Sequence, residues 1–461
     1  MAALLALPIL LDRLLLLPLR IPLGYNEGWN AYHALAVQEG MALYSPGALL
    51  FPNNYPPLSF YVVAAVGRLT GDLILAGRLI AIVALGVVLL NVGLATASLA
   101  RSRAAGIFAA ALAAATFSVF CGRYAGLDDP QMLGHAIMTT ALVIAIRHWG
   151  SNRALALALL LTLLAGLVKQ NLIALPLALL LGAWRDGPRR GLALTGWALL
   201  LAAAAAGLLG FAYGQAVFAN LLAPRTWSLY DAANSMTLWL LPLAVLIATF
   251  LPAGATWPRR GPDLVALAYP AIAIPVGVFF AGGAGVRENI YFDVLFGAVI
   301  VAVTVLARVP DQAASGAFGR PLRALPLALC IAPAIGFLPG IAALKWDWLD
   351  HRAAQARHDT AADIARIRAA GSPALCESLA LCYWAGASAP VDLYGTQQGT
   401  DTGRLPPDTL RTLVSRGWFA SVQLSGSVIN AERWSPSLQA ALDARYRLAD
   451  TSANGRFYLR R

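Results

Sequence analysis

The sequence predicts an α-helical polytopic membrane protein with a small C-terminal extracytoplasmic α/β domain, and three observations lead there. Hydrophobic residues fill 59% of the 461 positions and charged residues only 12%, whereas soluble domains carry about 25% charge. Apolar runs approaching the length of a bilayer crossing, about 20 residues, recur from the start of the chain to residue 344. Short connections bearing arginine alternate with longer ones poor in basic residues. The net charge of +11 comes from these scattered arginines and not from one basic stripe, so it is a topology signal and not a nucleic-acid footprint.

The apolar cores define about eleven spans, at residues 2–23, 73–99, 104–120, 132–146, 154–168, 172–184, 192–211, 238–251, 264–280, 294–306 and 325–344. The first lacks a cleavage site and a basic leader and is read as a retained span. The short pair 154–168 and 172–184 is alternatively a partly submerged hairpin. Arg101 and Arg103, Arg147 and Arg153, Arg185 with Arg189 and Arg190, Arg259 and Arg260, and Arg308 with Arg320 and Arg323 fall in every second connection. The positive-inside rule assigns these to the cytoplasm, with the N-terminus in and the C-terminus out. Residues 24–72, 121–131, 169–171, 212–236, 281–293 and everything after 344 then face outward. Within the first of these loops, 59–69 is too short to span and is expected to lie along the membrane surface.

The expected division is a transmembrane domain over 1–344 and an extracytoplasmic domain over 345–461, where the composition turns polar. Helices are expected there at 347–369, 407–416 and 435–446, and strands at 374–383 and 418–424. Four cysteines match no zinc pattern and are too few for a disulfide framework. Cys121 and Cys330 fit plain packing, while Cys376 and Cys382 are candidates to pair if their region meets an oxidising compartment.

Polar residues at or just outside membrane depth are costly and so are functional candidates. Glu27, flanked by Trp29 and Tyr32 just after the first span, suits general-base work on a hydroxyl; an interfacial aromatic belt with a solvated acid is the plainer account. Asp128 and Asp129 precede Pro130 at the start of a helix. Capping explains one of them, and a pair beside Arg123 points to chemistry. Lys169 interrupts an apolar stretch and is one of two lysines in a chain that otherwise uses arginine, which suits a compact counterion for phosphate; snorkelling at a helix end is the alternative. Arg225 with Trp227, and the run Arg287-Glu288-Asn289-Ile290-Tyr291-Phe292-Asp293, add cations and aromatics on the same side.

In this order the clusters resemble the C-type superfamily of polyprenyl-phosphate-dependent membrane glycosyltransferases, which includes protein O-mannosyltransferases and bacterial aminoarabinose transferases. The resemblance rests on Asn26-Glu27, on Tyr44 and Asn54-Tyr55-Pro56-Pro57-Leu58 followed by Arg78, on Asp128-Asp129, on Leu167-Val168-Lys169-Gln170-Asn171, and on Asn289 to Asp293. It implies an inverting glycosyltransferase in a bacterial inner membrane with a periplasmic active site. A polyprenyl-phosphate sugar would be the donor, and a glycolipid, polysaccharide or protein the acceptor. Glu27, Asp128 and Asp129 are the catalytic candidates, Lys169, Arg225 and Arg287 would bind the donor phosphate, and Asn26, Trp29, Tyr55, Asn289 and Tyr291 would bind substrate. Many members carry an Asp-Glu pair where this chain has Asn26-Glu27, so the base is Glu27 or one of the Asp128-Asp129 pair. No cofactor is required; a divalent cation on Asp128 or Asp129 is compatible, although no ligand set demands one. The competing classes are a secondary transporter, which would carry mid-membrane charges in broken helices and internal repeats, a polysaccharide ligase or polymerase, and a non-catalytic carrier-binding protein.

Overall fold

The computed structural model describes residues 2–45, 49–308, 335, 339–425 and 436–461. The helices begin where capping residues meet apolar runs. The chain opens with α1 (Ala2–Leu16), α2 (Tyr25–Gln38) and α3 (Leu58–Thr70). Asp72 accepts hydrogen bonds from the Ile74 and Leu75 amides and starts α4 (Leu73–Ala100), an apolar helix all round and therefore one that sits among other helices or lipid. Arg101 ends it in a left-handed conformation, and Ser102 caps α5 (Arg103–Cys121) by accepting from the Ala105 amide. Asp129 caps α6 (Pro130–Arg147), with proline in the first turn, where its missing N–H is not needed. Ser151 caps α7 (Asn152–Val168), which is followed by α8 (Ala174–Asp186) and α9 (Pro188–Tyr213).

Short helices α10 (Gln215–Leu221), α11 (Leu229–Ser235), α12 (Ala244–Ala248) and α13 (Phe250–Thr256) lead to α14 (Gly261–Ala281) and α15 (Phe292–Arg308). The helix over the expected span at 238–251 is thus irregular and begins earlier. A π turn at Met236–Leu240 and a 3₁₀ turn at Leu241–Leu243 precede α12, because Pro242 lacks an N–H and crowds the preceding turn. Six helical segments among the described residues have the length and apolarity to cross a membrane: Leu73–Ala100, Arg103–Tyr124, Pro188–Tyr213, Leu229–Ala248, Gly261–Ala281 and Glu288–Arg308. The last is the axis of the bundle, with 89% of its apolar window buried against α4, α5 and α14, whereas 11% of the α9 window is buried. Most of the span expected at 325–344 lies outside the described residues.

From α16 (Arg352–Ala370) the chain builds a mixed α/β unit. Strands β1 (Ala374–Cys376), β2 (Ser421–Leu424), β3 (Tyr446–Ser452) and β4 (Gly455–Arg460) form one sheet in the order β1-β2-β4-β3. β1 and β2 are parallel, with Leu375 opposite Val422, and the other two pairings are antiparallel. The strand expected at 374–383 stops at Cys376, and the rest is α17 (Leu379–Ala385), joined to β1 by a Cys376–Cys382 disulfide. Helices α18 (Leu393–Asp401), α19 (Thr409–Ser415) and α20 (Pro436–Arg445) complete the unit.

This unit is clamped onto one end of the helical bundle. α17 lies so close to α2 that a Cβ at Gly28 would overlap the Leu379–Ala380 backbone. Tyr383 accepts from the Leu73 amide at 2.9 Å, the Trp384 indole donates to Asp72 at 3.1 Å, and Tyr32 donates to the Ala387 carbonyl at 2.7 Å. Tyr394 donates to the Ala284 carbonyl at 2.5 Å. Tyr25, the first residue of α2, donates to Asp392, whose carboxylate also caps α18 through the Tyr394 and Gly395 amides.

Burial pushes the Asp392 carboxyl up to about 7, with the two amides pulling the other way. An unfolded aspartate titrates near 3.9, so the docked state holds the proton more tightly. The contribution is full below about pH 4 and is lost as pH rises through about 7. The melting temperature of the purified protein should therefore fall over that window, and Asp392→Asn should flatten the slope. An unchanged slope would remove Asp392 as its source.

Candidate functional site

Asn26, Asp129 and Lys169 meet where α2, the α5–α6 turn and the end of α7 converge. Asn26 donates from Nδ2 to Asp129 Oδ2 at 2.9 Å, and the Gln131 amide donates to Asp129 Oδ1 at 2.8 Å. Lys169 Nζ lies 3.5 Å from Asp129 Oδ1 and 4.7 Å from the centre of the Tyr55 ring. Burial opposes the charge on Lys169, but Asp129 and Tyr55 outweigh it and raise its pKa. The residue is a cation fixed between an anion and an aromatic face. Tyr55 is itself held by Trp29, in edge contact at 5.1 Å, and its carbonyl accepts from the Tyr44 hydroxyl at 2.6 Å.

Glu27 and Arg78 are both buried, at 0% and 1% exposure, and form a bidentate pair: Nε donates to Oε1 at 2.7 Å and Nη2 to Oε2 at 2.8 Å. The remaining guanidinium protons go to the Leu17, Leu19 and Ile21 carbonyls, and the Leu23 amide donates to Glu27 Oε2. Both oxygens of Glu27 are thus committed to joining the α1–α2 connection to α4.

Asp128 differs from both neighbours. Its backbone carbonyl accepts from Asn30 Nδ2 at 2.7 Å, and its carboxylate lies over the α4 backbone where a Cβ at Gly77 would overlap it. Oδ2 is buried with no hydrogen-bond partner, as are Asn30 Oδ1 and Ser59 Oγ. All three residues line one narrow cavity with Phe60, Val63 and Asp129. Burial, then Glu27 and Asp129, hold the Asp128 carboxyl well above the usual carboxylate range, against a smaller pull from Arg78. Three unsatisfied buried oxygens around one space form an acceptor-rich slot of the kind that a hydroxyl or water fills.

The other predicted residues lie outside this slot. Arg287 and Arg123 both reach Glu288 Oε2, at 3.7 and 2.6 Å, and Arg123 stacks on Tyr124. Asn289 is buried, and Tyr291 is buried with its hydroxyl 2.7 Å from Ser235 Oγ. Arg225 neighbours Arg404 of the C-terminal unit, where burial and then Arg225 depress the Arg404 pKa. Trp29 is buried among His33, Tyr55 and Phe60. The sequence reading missed Asn30 and Ser59, two neutral residues with no local signal. It named Arg78 without its role, although a charge inside an apolar run is itself a signal. Among the described residues no group of three or more His, Cys, Asp or Glu side chains is positioned to hold a metal ion.

The fold is similar to that of solved membrane-protein structures from a bacterium and an archaeon. ArnT from Cupriavidus metallidurans in the apo state superposes with a TM-score of 0.61 at 17% identity, over 94% of this chain and 93% of that one. The same protein bound to undecaprenyl phosphate gives 0.58 at 17% identity, over 98% and 97%. The archaeal oligosaccharyltransferase AglB from Archaeoglobus fulgidus, in complex with an inhibitory peptide and a dolichol-phosphate, gives 0.54 at 12% identity, over 99% of this chain and 74% of that one. No family model and no curated protein matches the sequence.

Proposed function

We propose that the protein transfers a hexose or pentose from a polyprenyl-phosphate carrier to an extracytoplasmic acceptor, with inversion at the anomeric carbon. The observation that carries this reading is the unpartnered Asp128 Oδ2 in a hydroxyl-sized slot beside the Lys169–Asp129 pair. The fold shared with proteins solved bound to undecaprenyl phosphate and in complex with a dolichol-phosphate supports the choice of donor. The Cys376–Cys382 disulfide supports an oxidising, outward location for the C-terminal unit, in keeping with an N-in, C-out protein of the inner membrane.

In this mechanism the acceptor hydroxyl enters the slot, where Ser59 and Asn30 orient it and Asp128 removes its proton. Its oxygen attacks the anomeric carbon as the bond to the phosphate oxygen breaks. A base with one free oxygen and a raised pKa meets both requirements of general-base work near neutral pH; Glu27 and Asp129 have their oxygens engaged. The leaving polyprenyl phosphate gains charge, and Lys169, with Arg287 at the adjoining cationic turn, stabilises it. Asn26 and Tyr55 orient the donor head, Trp29 backs Tyr55, and Asn289 and Tyr291 support the Arg287 turn. Arg225 would meet the acceptor beside the C-terminal unit. A divalent cation would find oxygens at Asp128, Asn30 and Ser59, and these suit a hard ion only if substrate oxygens complete its shell.

The test is transfer from radiolabelled polyprenyl-phosphate sugars by wild type and by Lys169→Ala. Loss of the lysine should weaken donor use by about 10-fold to 100-fold, the scale of a charge-assisted phosphate contact of about 1.5–3 kcal/mol. No consumption of any donor by wild type would overturn the transferase reading.

A further inference from the structure

Three helices meet at a buried polar group that this reaction does not use. His135 of α6, Tyr269 of α14 and Asp293 of α15 are exposed by only 0, 1 and 5%. His135 Nδ1 lies 2.8 Å from the Gln131 carbonyl oxygen, and Nε2 lies 2.9 Å from Asp293 Oδ1. The Tyr269 hydroxyl donates to that same Oδ1 at 2.5 Å.

Donor and acceptor chemistry places one ring hydrogen. A carbonyl oxygen only accepts, so His135 Nδ1 carries a hydrogen. Asp293 Oδ1 already receives a short hydroxyl bond of the charge-assisted kind. Asp293 also lies in the first turn of α15, where free amides and the helix dipole favour an anion. Nε2 faces the Asp293 carboxyl at 2.9 Å, and an imidazolium would present N–H on both sides. Nε2 makes no well-aligned hydrogen bond, so the contact is electrostatic. Phe292 and Phe296 pack on the imidazole and keep water away.

The pair also joins the two halves of the site. Gln131, which His135 holds through its carbonyl, donates its amide to Asp129. Asp293 follows directly on the Arg287–Tyr291 turn. We propose that His135 is a positioning residue, kept as an imidazolium by Asp293, and that this buried ion pair sets the Asp128-Asp129 turn against the Arg287–Tyr291 turn. Only the activity arm of its test rests on the transferase reading.

The full chain, labelled with ¹⁵N-histidine in lipid nanodiscs, gives one probe for each of its five histidines. His135 should show both ring nitrogens protonated at pH 7, and Asp293→Asn should convert it to the neutral form. A neutral His135 in wild type overturns the proposal. Hydrogen exchange supplies the positioning readout. Amides at 125–131 and at 285–291 should both exchange faster in Asp293→Asn and in the doubly neutral His135→Gln/Asp293→Asn protein; protection unchanged in either turn overturns it. In transfer assays the double variant should lose about 10-fold to 100-fold in kcat, the scale of a small misplacement, with donor KM within about twofold. Wild-type kcat in the double variant overturns the positioning role. If wild type transfers no sugar, the transferase reading fails while the nitrogen and exchange results still decide the pair.

Discussion

Asp128→Asn is expected to lower sugar transfer by about 100-fold or more, the range for a missing general base, while leaving the protein folded and able to bind donor. The variant is informative because it separates chemistry from structure. Asp128 accepts from Asn30 through its backbone carbonyl, and among the described residues its Oδ2 has no partner, so the amide disturbs none there. Burial and two neighbouring carboxylates disfavour the charge on Asp128, so a neutral isostere should melt at or above the wild-type temperature. The pH profile gives a second check. Transfer needs the deprotonated form of a group held above its ordinary range, so the acid limb of kcat should lie well above pH 4. Asp129→Asn should differ: asparagine still caps α6, but Lys169 loses its anion and the donor affinity should change. If Asp128→Asn keeps more than about a tenth of the wild-type rate, the base lies elsewhere.

How much of this was legible in the sequence depends on how local the signal is. α4, α5, α6 and α7 could be placed because each joins a long apolar run to a capping residue, namely Asp72, Ser102, Asp129 and Ser151. α2 was harder. Tyr25 to His33 looks like a polar loop, and the helix is stabilised largely by α17 and α3 packed against it. The β3–β4 hairpin carries an Asn454-Gly455 turn signal that the sequence reading did not use. The helix α17 is not legible as a helix because Leu-Ala-Leu-Cys-Tyr is apolar without a readable period.

The site was legible as a set of polar clusters and illegible as a set of partnerships. Asn26, Asp129 and Lys169 were each visible as polar residues at the ends of apolar runs, but nothing local said that Asn26 and Lys169 share the Asp129 carboxylate. The roles of Glu27 and Asp128 could not be separated, because what distinguishes them is whether a guanidinium 51 residues away lies on one of them. His135 and Tyr269 were hidden for a related reason: each is a single polar residue in an apolar stretch, and its meaning appears only when α6, α14 and α15 come together.

Glu27→Gln should fail in a different way from Asp128→Asn, by loss of folded protein. Arg78 carries five N–H donors, and five contacts receive them: two to Glu27 and one each to Leu17, Leu19 and Ile21. The pair is wholly buried. Removing one partner of such a pair leaves an uncompensated charge and costs about 3–5 kcal/mol, a large share of the stability of an ordinary domain. A glutamine amide would also turn N–H groups toward the guanidinium. Arg78→Lys should be nearly as damaging, since an ammonium cannot span a carboxylate and three carbonyls in a planar fork. Melting temperature and monodispersity in detergent read this directly. Both variants should melt well below wild type although both retain Asp128. A folded Glu27→Gln protein of wild-type stability with transfer reduced about 100-fold would instead make Glu27 the base, with Arg78 as its electrostatic partner. The stability measurement must come before the activity measurement, because loss of folded protein and loss of a base look alike in a transfer assay.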